Sequence, residues 1–290
     1  MSGPEPDEPV APGPAWLGPR ASEGEAAEPG QFNRGLALRA VLPNAITAAA
    51  LCSGLTGIRF GIDGQWDRAV FAIILAGMLD GIDGRIARLL KAQSRFGAEL
   101  DSLADSLSFG MAPALVLFLW SLNDLPRFGW FAALGFAICC ALRLARFNAQ
   151  IDKKDQPHKS VGFLTGVPAP IGAGLAFLPL YLWIATGEPF FRNPVLVAVW
   201  VVIIAALMIS NLATLSWTSI RPRENIRLLA IAFAGLFFAA LLTEPWWTLA
   251  AVSIAYLALL PYALVRYGRI KRLRVAAPAR GEASAGSRPA

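Results

Sequence analysis

Four aspartates, Asp80, Asp83, Asp101 and Asp105, fall within 26 positions of a chain that is 56% hydrophobic and 16% charged. The first two are three residues apart and the last two are four apart, so on helices each pair shares a face one turn from its partner. Ionised carboxylates gathered in apolar surroundings repel one another and lose hydration, so they are stable there only when protonated or when cations hold them. Oxygen donors without histidine or cysteine suit hard divalent ions, Mg²⁺ or Mn²⁺. Four carboxylates are enough for a pair of ions about 3.5–4 Å apart, the arrangement that clamps a phosphoryl group. Gly84, Ala87 and Gly97 keep the same faces small enough for a large polar ligand to approach the backbone. Arg88 adds a planar fork suited to phosphate oxygens.

A packing seam of small residues with interhelical salt bridges would account for the glycines and alanine. It would not account for acids outnumbering bases on facing surfaces. The three cysteines, Cys52, Cys139 and Cys140, lie in apolar segments and read as packing residues rather than a disulfide framework. His158 is the single histidine and falls in a polar loop, where it cannot build a zinc site alone.

The elements that position the aspartates are membrane helices. Apolar runs near the ~20 residues needed to span a bilayer recur along the chain, and the stretch 195–215 carries no charge at all. The pattern predicts an all-α polytopic membrane protein with eight helices, at about 42–61, 66–91, 97–121, 128–148, 162–186, 194–213, 225–242 and 246–267. The short connection Leu90–Gly97 brings the second and third helices together, so all four carboxylates converge. Residues 1–33 read as a disordered, acidic, Pro- and Gly-rich tail with no signal peptide, 34–268 as the membrane domain, and 269–290 as a basic, loose tail. With both termini in the cytoplasm, the inner flanks hold 19 Lys and Arg against four outside, which sets the orientation and puts the aspartates near the cytoplasmic face. The net charge of +6 comes mostly from those flanks and suits anionic lipid headgroups. Basic patches interleaved with stacking aromatics are absent, so nucleic acid is not an expected partner.

In order, Asp80-x-x-Asp83-Gly84-x-x-Ala87-Arg88, eight residues, then Gly97-x-x-x-Asp101-x-x-x-Asp105 resembles the signature of the CDP-alcohol phosphotransferases at every fixed position. The resemblance implies a six-helix core carrying the site, and a homodimer. It implies that Asp80, Asp83 and Asp101 ligate one divalent ion and Asp80, Asp101 and Asp105 a second. Gly84, Arg88 and Ser94 match positions that hold the CDP part of the donor, and Asp105 matches the general base that takes the acceptor's proton. Upstream, "LPNAIT" (42–47) resembles the Pro-Asn-x-x-Thr opening of the family's first core helix. Asn44 and Thr47 there serve either as contacts to nucleotide or phosphate or as N-cap and turn residues.

The stretches 98–114, "RLARFN" (143–148) and 162–174 are similar to those of the bacterial integral-membrane phosphatidylserine synthases. That branch implies transfer of a phosphatidyl group from CDP-diacylglycerol to L-serine in the bacterial inner membrane. Arg143 and Arg146, with Lys159 and Arg221 as weaker alternatives, are the cations available for the serine carboxylate, unless the first two only anchor the inner face. Glycerol 3-phosphate, inositol or inositol phosphate remain open as acceptors; choline would require an aromatic cage. A membrane prenyltransferase would use Asp101-x-x-x-Asp105 but has no need of Asp83-Gly84-x-x-Ala87-Arg88. A cation transporter would place its acids near mid-bilayer, often in repeated halves, and this chain has no internal repeat.

Overall fold

The computed structural model describes residues 34–125, 127–151, 163–210, 213–215 and 227–276. Helix α1 (Arg34–Ile62) and helix α2 (Trp66–Leu89) form an antiparallel pair. Then come α3 (Arg95–Asp105), a π-helical turn (Ser106–Met111) and α4 (Ala112–Trp120), which together make one rod. Helix α5 (Phe128–Ile151) follows, then a strand β1 (Phe163–Thr165), and α6 (Ala169–Ala176) and α7 (Leu178–Thr186). Helix α8 (Pro194–Ile209), strand β2 (Ala213–Leu215), α9 (Arg227–Thr243) and α10 (Pro245–Ala276) complete the order. The protein is all-α apart from this ribbon, in which Phe163 pairs with Leu215 and Thr165 with Ala213, antiparallel.

By length and composition, four stretches among the described residues are long and apolar enough to cross a membrane: Val41–Ile62, Arg95–Trp120, Phe128–Ala149 and Ala169–Thr186. Pro194–Ile209 and Pro245–Pro261 are shorter apolar helices. Helix α2 has the length, but it carries Asp67 and Arg68 in its first turn and Asp80, Asp83, Arg85 and Arg88 in its C-terminal half. Packing inverts the soluble pattern. Large apolar side chains such as Phe71, Met78, Val199 and Ile203 point outward, where lipid tails are as apolar as the core. Inside, Ala69, Ala76, Ala112 and Ala173 let the rods approach, and Val116, Leu117 and Trp120 of α4 are wholly buried at the centre.

Four boundaries differ from the sequence reading. Helix α1 begins at Arg34 and runs through Pro43, so residues 42–47 lie inside a helix and the N-cap reading of Asn44 and Thr47 is overturned. The helix expected over 162–186 begins at Ala169, because Gly166 takes φ +76 and a Cβ there would meet the Met208 carbonyl oxygen at 2.6 Å. The expected helix 194–213 ends at Ile209 since Ala213–Leu215 pairs with β1. Helix α10 continues to Ala276, so the basic run from Arg269 is helical rather than the start of a loose tail. The expectations for residues 1–33 and for His158 lie outside the described residues.

The π-turn has a local cause. Pro113 has no N–H to close an α-turn onto Phe109, and its ring presses on that same carbonyl; the wider turn just before it re-registers the helix, with the Ala112 N–H reaching the Leu107 carbonyl. Helix α1 braces this turn closely: a Cβ on Gly54 would stand 2.5 Å from Ser108 Oγ and 2.9 Å from its Cα. Gly54→Ala is therefore expected to destabilise the fold by about 1–3 kcal/mol, the usual cost of overpacking. Thermal unfolding in detergent checks this, and an unchanged midpoint would mean that α1 does not brace the turn.

Candidate active site

Asp80 on α2 and Asp101 and Asp105 on α3 converge. One carboxylate oxygen from each lies within 4.8 Å of the others, and all three side chains are half-buried. The Asp80 carboxylate touches both Asp101 and Asp105. Among the described residues no Lys or Arg forms an ion pair with any of them; the ion pair found is Arg59–Asp63, at the opposite end of α1. Three acids in contact, half out of water and in no salt bridge among the described residues, fit a divalent cation bound through oxygen. Asp83 stands one turn beyond Asp80 and is buried, and its Oδ2 accepts a hydrogen bond from Thr47 Oγ1 at 2.6 Å.

A cavity of about 500 Å³ opens beside these groups, lined by Asn44, Thr47, Asp83, Gly84, Arg88, Ser94, Gly97 and Asp101, within the range of small-molecule sites. The two signature glycines do different work. A Cβ on Gly84 would meet nothing, so a side chain there would occupy the cavity itself. A Cβ on Gly97 would come within 2.9 Å of Asn44 Oδ1 and 3.1 Å of Ser94 Oγ. Gly97 is therefore small because helix α1 and the start of α3 close over it. Ser94 is the N-cap of α3, its hydroxyl accepting from the Gly97 N–H at 3.0 Å. Arg88 is exposed and donates its Nε–H to the Gly84 carbonyl at 3.0 Å. That bond turns the guanidinium back along α2 and leaves its terminal amino groups without a partner among the described residues.

The two α5 arginines part company. Arg146 donates from Nη1 to the Ile209 carbonyl at 3.0 Å, tying α5 to the end of α8. Arg143 is half-buried, and its Nε is inaccessible and without a hydrogen-bond partner. Asp105, Cys140 and Tyr256 are the titratable groups around it. Lys159 and Arg221 lie outside the described residues. Sequence reasoning did not single out Tyr256 or Asn148, whose Nδ2 donates to Ser102 Oγ at 2.8 Å and joins α5 to α3 beside Asp101. The sole hint was "RLARFN", in which Asn148 follows Arg143 by five residues.

A family model described as CDP-alcohol phosphatidyltransferase matches residues 40–214, more than half of the chain and the whole of this site. The chain belongs to the CDP-alcohol phosphatidyltransferase family. A second family model, CDP-alcohol phosphatidyltransferase 2, matches residues 225–261, across α9 and the first part of α10. Relatives carry the name CDP-diacylglycerol–serine O-phosphatidyltransferase. The protein of Mycobacterium tuberculosis (strain H37Rv) is 38% identical over 231 residues, 80% of each chain. That of Mycobacterium leprae is 37% identical over 224 residues, 77% of this chain and 74% of the relative. That of Helicobacter pylori (strain 26695) is 31% identical over 198 residues, 68% of this chain and 81% of the relative. The chain is thus an enzyme of phospholipid biosynthesis, an integral membrane transferase of a family that uses divalent metals, and the acidic cluster provides the donors to bind one.

Proposed function

We propose that this enzyme transfers the phosphatidyl group of CDP-diacylglycerol to the hydroxyl of L-serine, releasing phosphatidylserine and CMP. The observation that carries the reaction is the convergence of Asp80, Asp101 and Asp105 at the edge of a cavity that Asp83, Gly84 and Arg88 also line. Serine as the acceptor is supported by the names of the relatives and by the unpartnered Arg143.

In this reading the CDP head enters the cavity while the two acyl chains stay in the bilayer. Gly84 leaves room for the head, Arg88 offers its free amino groups to phosphate oxygens, and Asn44 and Ser94 border the nucleotide. Two divalent ions, Mg²⁺ or Mn²⁺, would be held by Asp80, Asp83 and Asp101 and by Asp80, Asp101 and Asp105, and would supply neutralisation of the pyrophosphate and of the departing CMP. Asp105 accepts the proton of the serine hydroxyl as that oxygen bonds to the β-phosphorus and the bond to the CMP oxygen breaks. Arg143, beside Asp105, takes the serine carboxylate, which holds the hydroxyl toward the base. The same reading places a homodimer in the bacterial cytoplasmic membrane with the site and both termini facing the cytoplasm, supported by the excess of Lys and Arg on the inner flanks.

Incorporation of ¹³C-serine into lipid, followed by mass spectrometry with CDP-diacylglycerol and Mn²⁺, tests the reaction; unlabelled lipid despite CMP release would exclude serine. Arg143→Met is expected to raise the serine KM about ten- to a hundredfold, the loss of a hydrogen bond to a charged group costing about 1.5–3 kcal/mol. The KM for CDP-diacylglycerol should change little. Equal serine KM values in variant and parent would remove Arg143 from the acceptor site.

A further inference from the structure

We propose that Thr47 is a positioning residue for Asp83: its hydroxyl fixes the orientation of that carboxylate from helix α1 instead of contacting the donor. The inference rests on the reading of Asp83 as a metal ligand. Thr47 Oγ1 lies 2.6 Å from Asp83 Oδ2 and 3.1 Å from the Pro43 carbonyl oxygen. A hydroxyl has one proton to give. The carboxylate is the stronger acceptor, and 2.6 Å is the length of a charge-assisted O–H···O⁻ bond. The proton therefore goes to Asp83.

Burial makes this contact different from the rest of the cluster. Thr47 is 5% exposed and Asp83 4%, whereas Asp80, Asp101 and Asp105 are half-buried. Little of Asp83 is exposed even though it borders the cavity, and the threonine hydroxyl supplies a hydrogen bond to its carboxylate from the side packed on α1. Threonine is stiff at χ1 because it is β-branched, and on a helix its hydroxyl settles against the carbonyl one turn back, here Pro43. The platform is stiff as well. Helices α1 and α2 approach closely enough that a Cβ on Gly57 would meet Ile73 Cγ1 at 2.8 Å, and Ser53 Oγ donates to the Ala72 carbonyl at 2.8 Å. Thr47 engages Oδ2 and the Gly84 N–H reaches the same carboxylate, and the lone pairs these two leave are what Asp83 offers a cation. Loss of a partner that orients a metal ligand typically weakens metal binding 10–100-fold.

The test is Mn²⁺ titration of the purified full-length enzyme by electron paramagnetic resonance, with the Mn²⁺ dependence of CMP release measured in parallel. Thr47→Val keeps the shape and removes the hydroxyl; it is expected to weaken Mn²⁺ binding about 10–100-fold. The half-saturating Mn²⁺ for turnover should rise with it, while the KM for CDP-diacylglycerol at saturating Mn²⁺ stays near the parent value. Thr47→Ser restores the hydroxyl and should return Mn²⁺ affinity to within about threefold of the parent. If Thr47→Val does not fold, Thr47→Ala, which removes the hydroxyl without introducing a larger group, is expected to show the same loss. Unchanged Mn²⁺ affinity in a hydroxyl-free variant would overturn the proposal. So would a raised KM for CDP-diacylglycerol with Mn²⁺ affinity intact, which would make Thr47 a donor contact. Asp80→Asn separates the two levels: if it leaves Mn²⁺ binding untouched, the metal site itself is misassigned, whatever Thr47 does.

Discussion

Asp105→Asn is expected to slow serine-dependent CMP release by about 10²–10⁴-fold, the range over which a positioned general base contributes. The amide keeps the size of the side chain but cannot accept the proton of the attacking hydroxyl. Asp105 ends α3, and the π-turn Ser106–Met111 follows at once; such turns occur frequently at functional sites. The turn buries Ser108, Phe109 and Gly110 against the neighbouring helices, where Gly110 leaves a gap a Cβ would close to 3.1 Å from Cys140. The backbone that carries Asp105 is thus held from the side away from the cavity. Donor binding should fall much less than turnover, because Asp105 belongs to only one of the two proposed ligand sets and its loss leaves the other, Asp80, Asp83 and Asp101, intact. Steady-state kinetics beside equilibrium binding of CDP-diacylglycerol make the distinction. Near-parental turnover would remove the base assignment.

Asp80→Asn is expected to abolish metal-dependent donor binding, with a loss of about 100-fold or more in affinity at a fixed low Mn²⁺ concentration. Asp80 touches both Asp101 and Asp105 and belongs to both proposed ligand sets. Its loss therefore affects both cations, at or above the top of the 10–100-fold range typical when only a ligand's supporting partner is removed. Binding measured with and without chelator provides the check: Mn²⁺-dependent affinity equal to the parent's would contradict the ligand assignment. The order of effects also separates the two acids. Asp80→Asn acts first on binding, Asp105→Asn first on the rate.

The convergence of Asp80, Asp101 and Asp105 was legible in the sequence because it depends on short-range geometry alone, whereas Asp83, expected to join them, stands outside that cluster against Thr47. Spacings of three and four place each pair on one helix face, and the turn at 90–94 is too short to let α2 and α3 part. The membrane architecture was legible for the same reason, since apolar runs of the required length have few alternatives. The π-turn was not legible: Pro113 announces a disturbed ladder, but whether the helix kinks, breaks or widens depends on what α1 and α5 press against it. Nor was the ribbon between 163–165 and 213–215, a pairing across some fifty residues in which each segment alone looks like the margin of an apolar helix. Thr47 shows the limit most plainly. Pro-Asn-x-x-Thr reads locally as a helix start, and only the packing of α1 on α2 reveals that the threonine hydroxyl is engaged by Asp83. The arginines of "RLARFN" are alike in sequence, and the bundle sends Arg146 to the Ile209 carbonyl while Arg143 stays unpartnered beside the acids.

The most direct test of the central claim is CMP release from CDP-diacylglycerol by the purified enzyme with Mn²⁺ or Mg²⁺, offering serine, glycerol 3-phosphate, inositol and inositol phosphate in separate reactions. The account predicts metal-dependent release with serine and none above background with the other three. Release driven by a different alcohol, with serine inert, would contradict it.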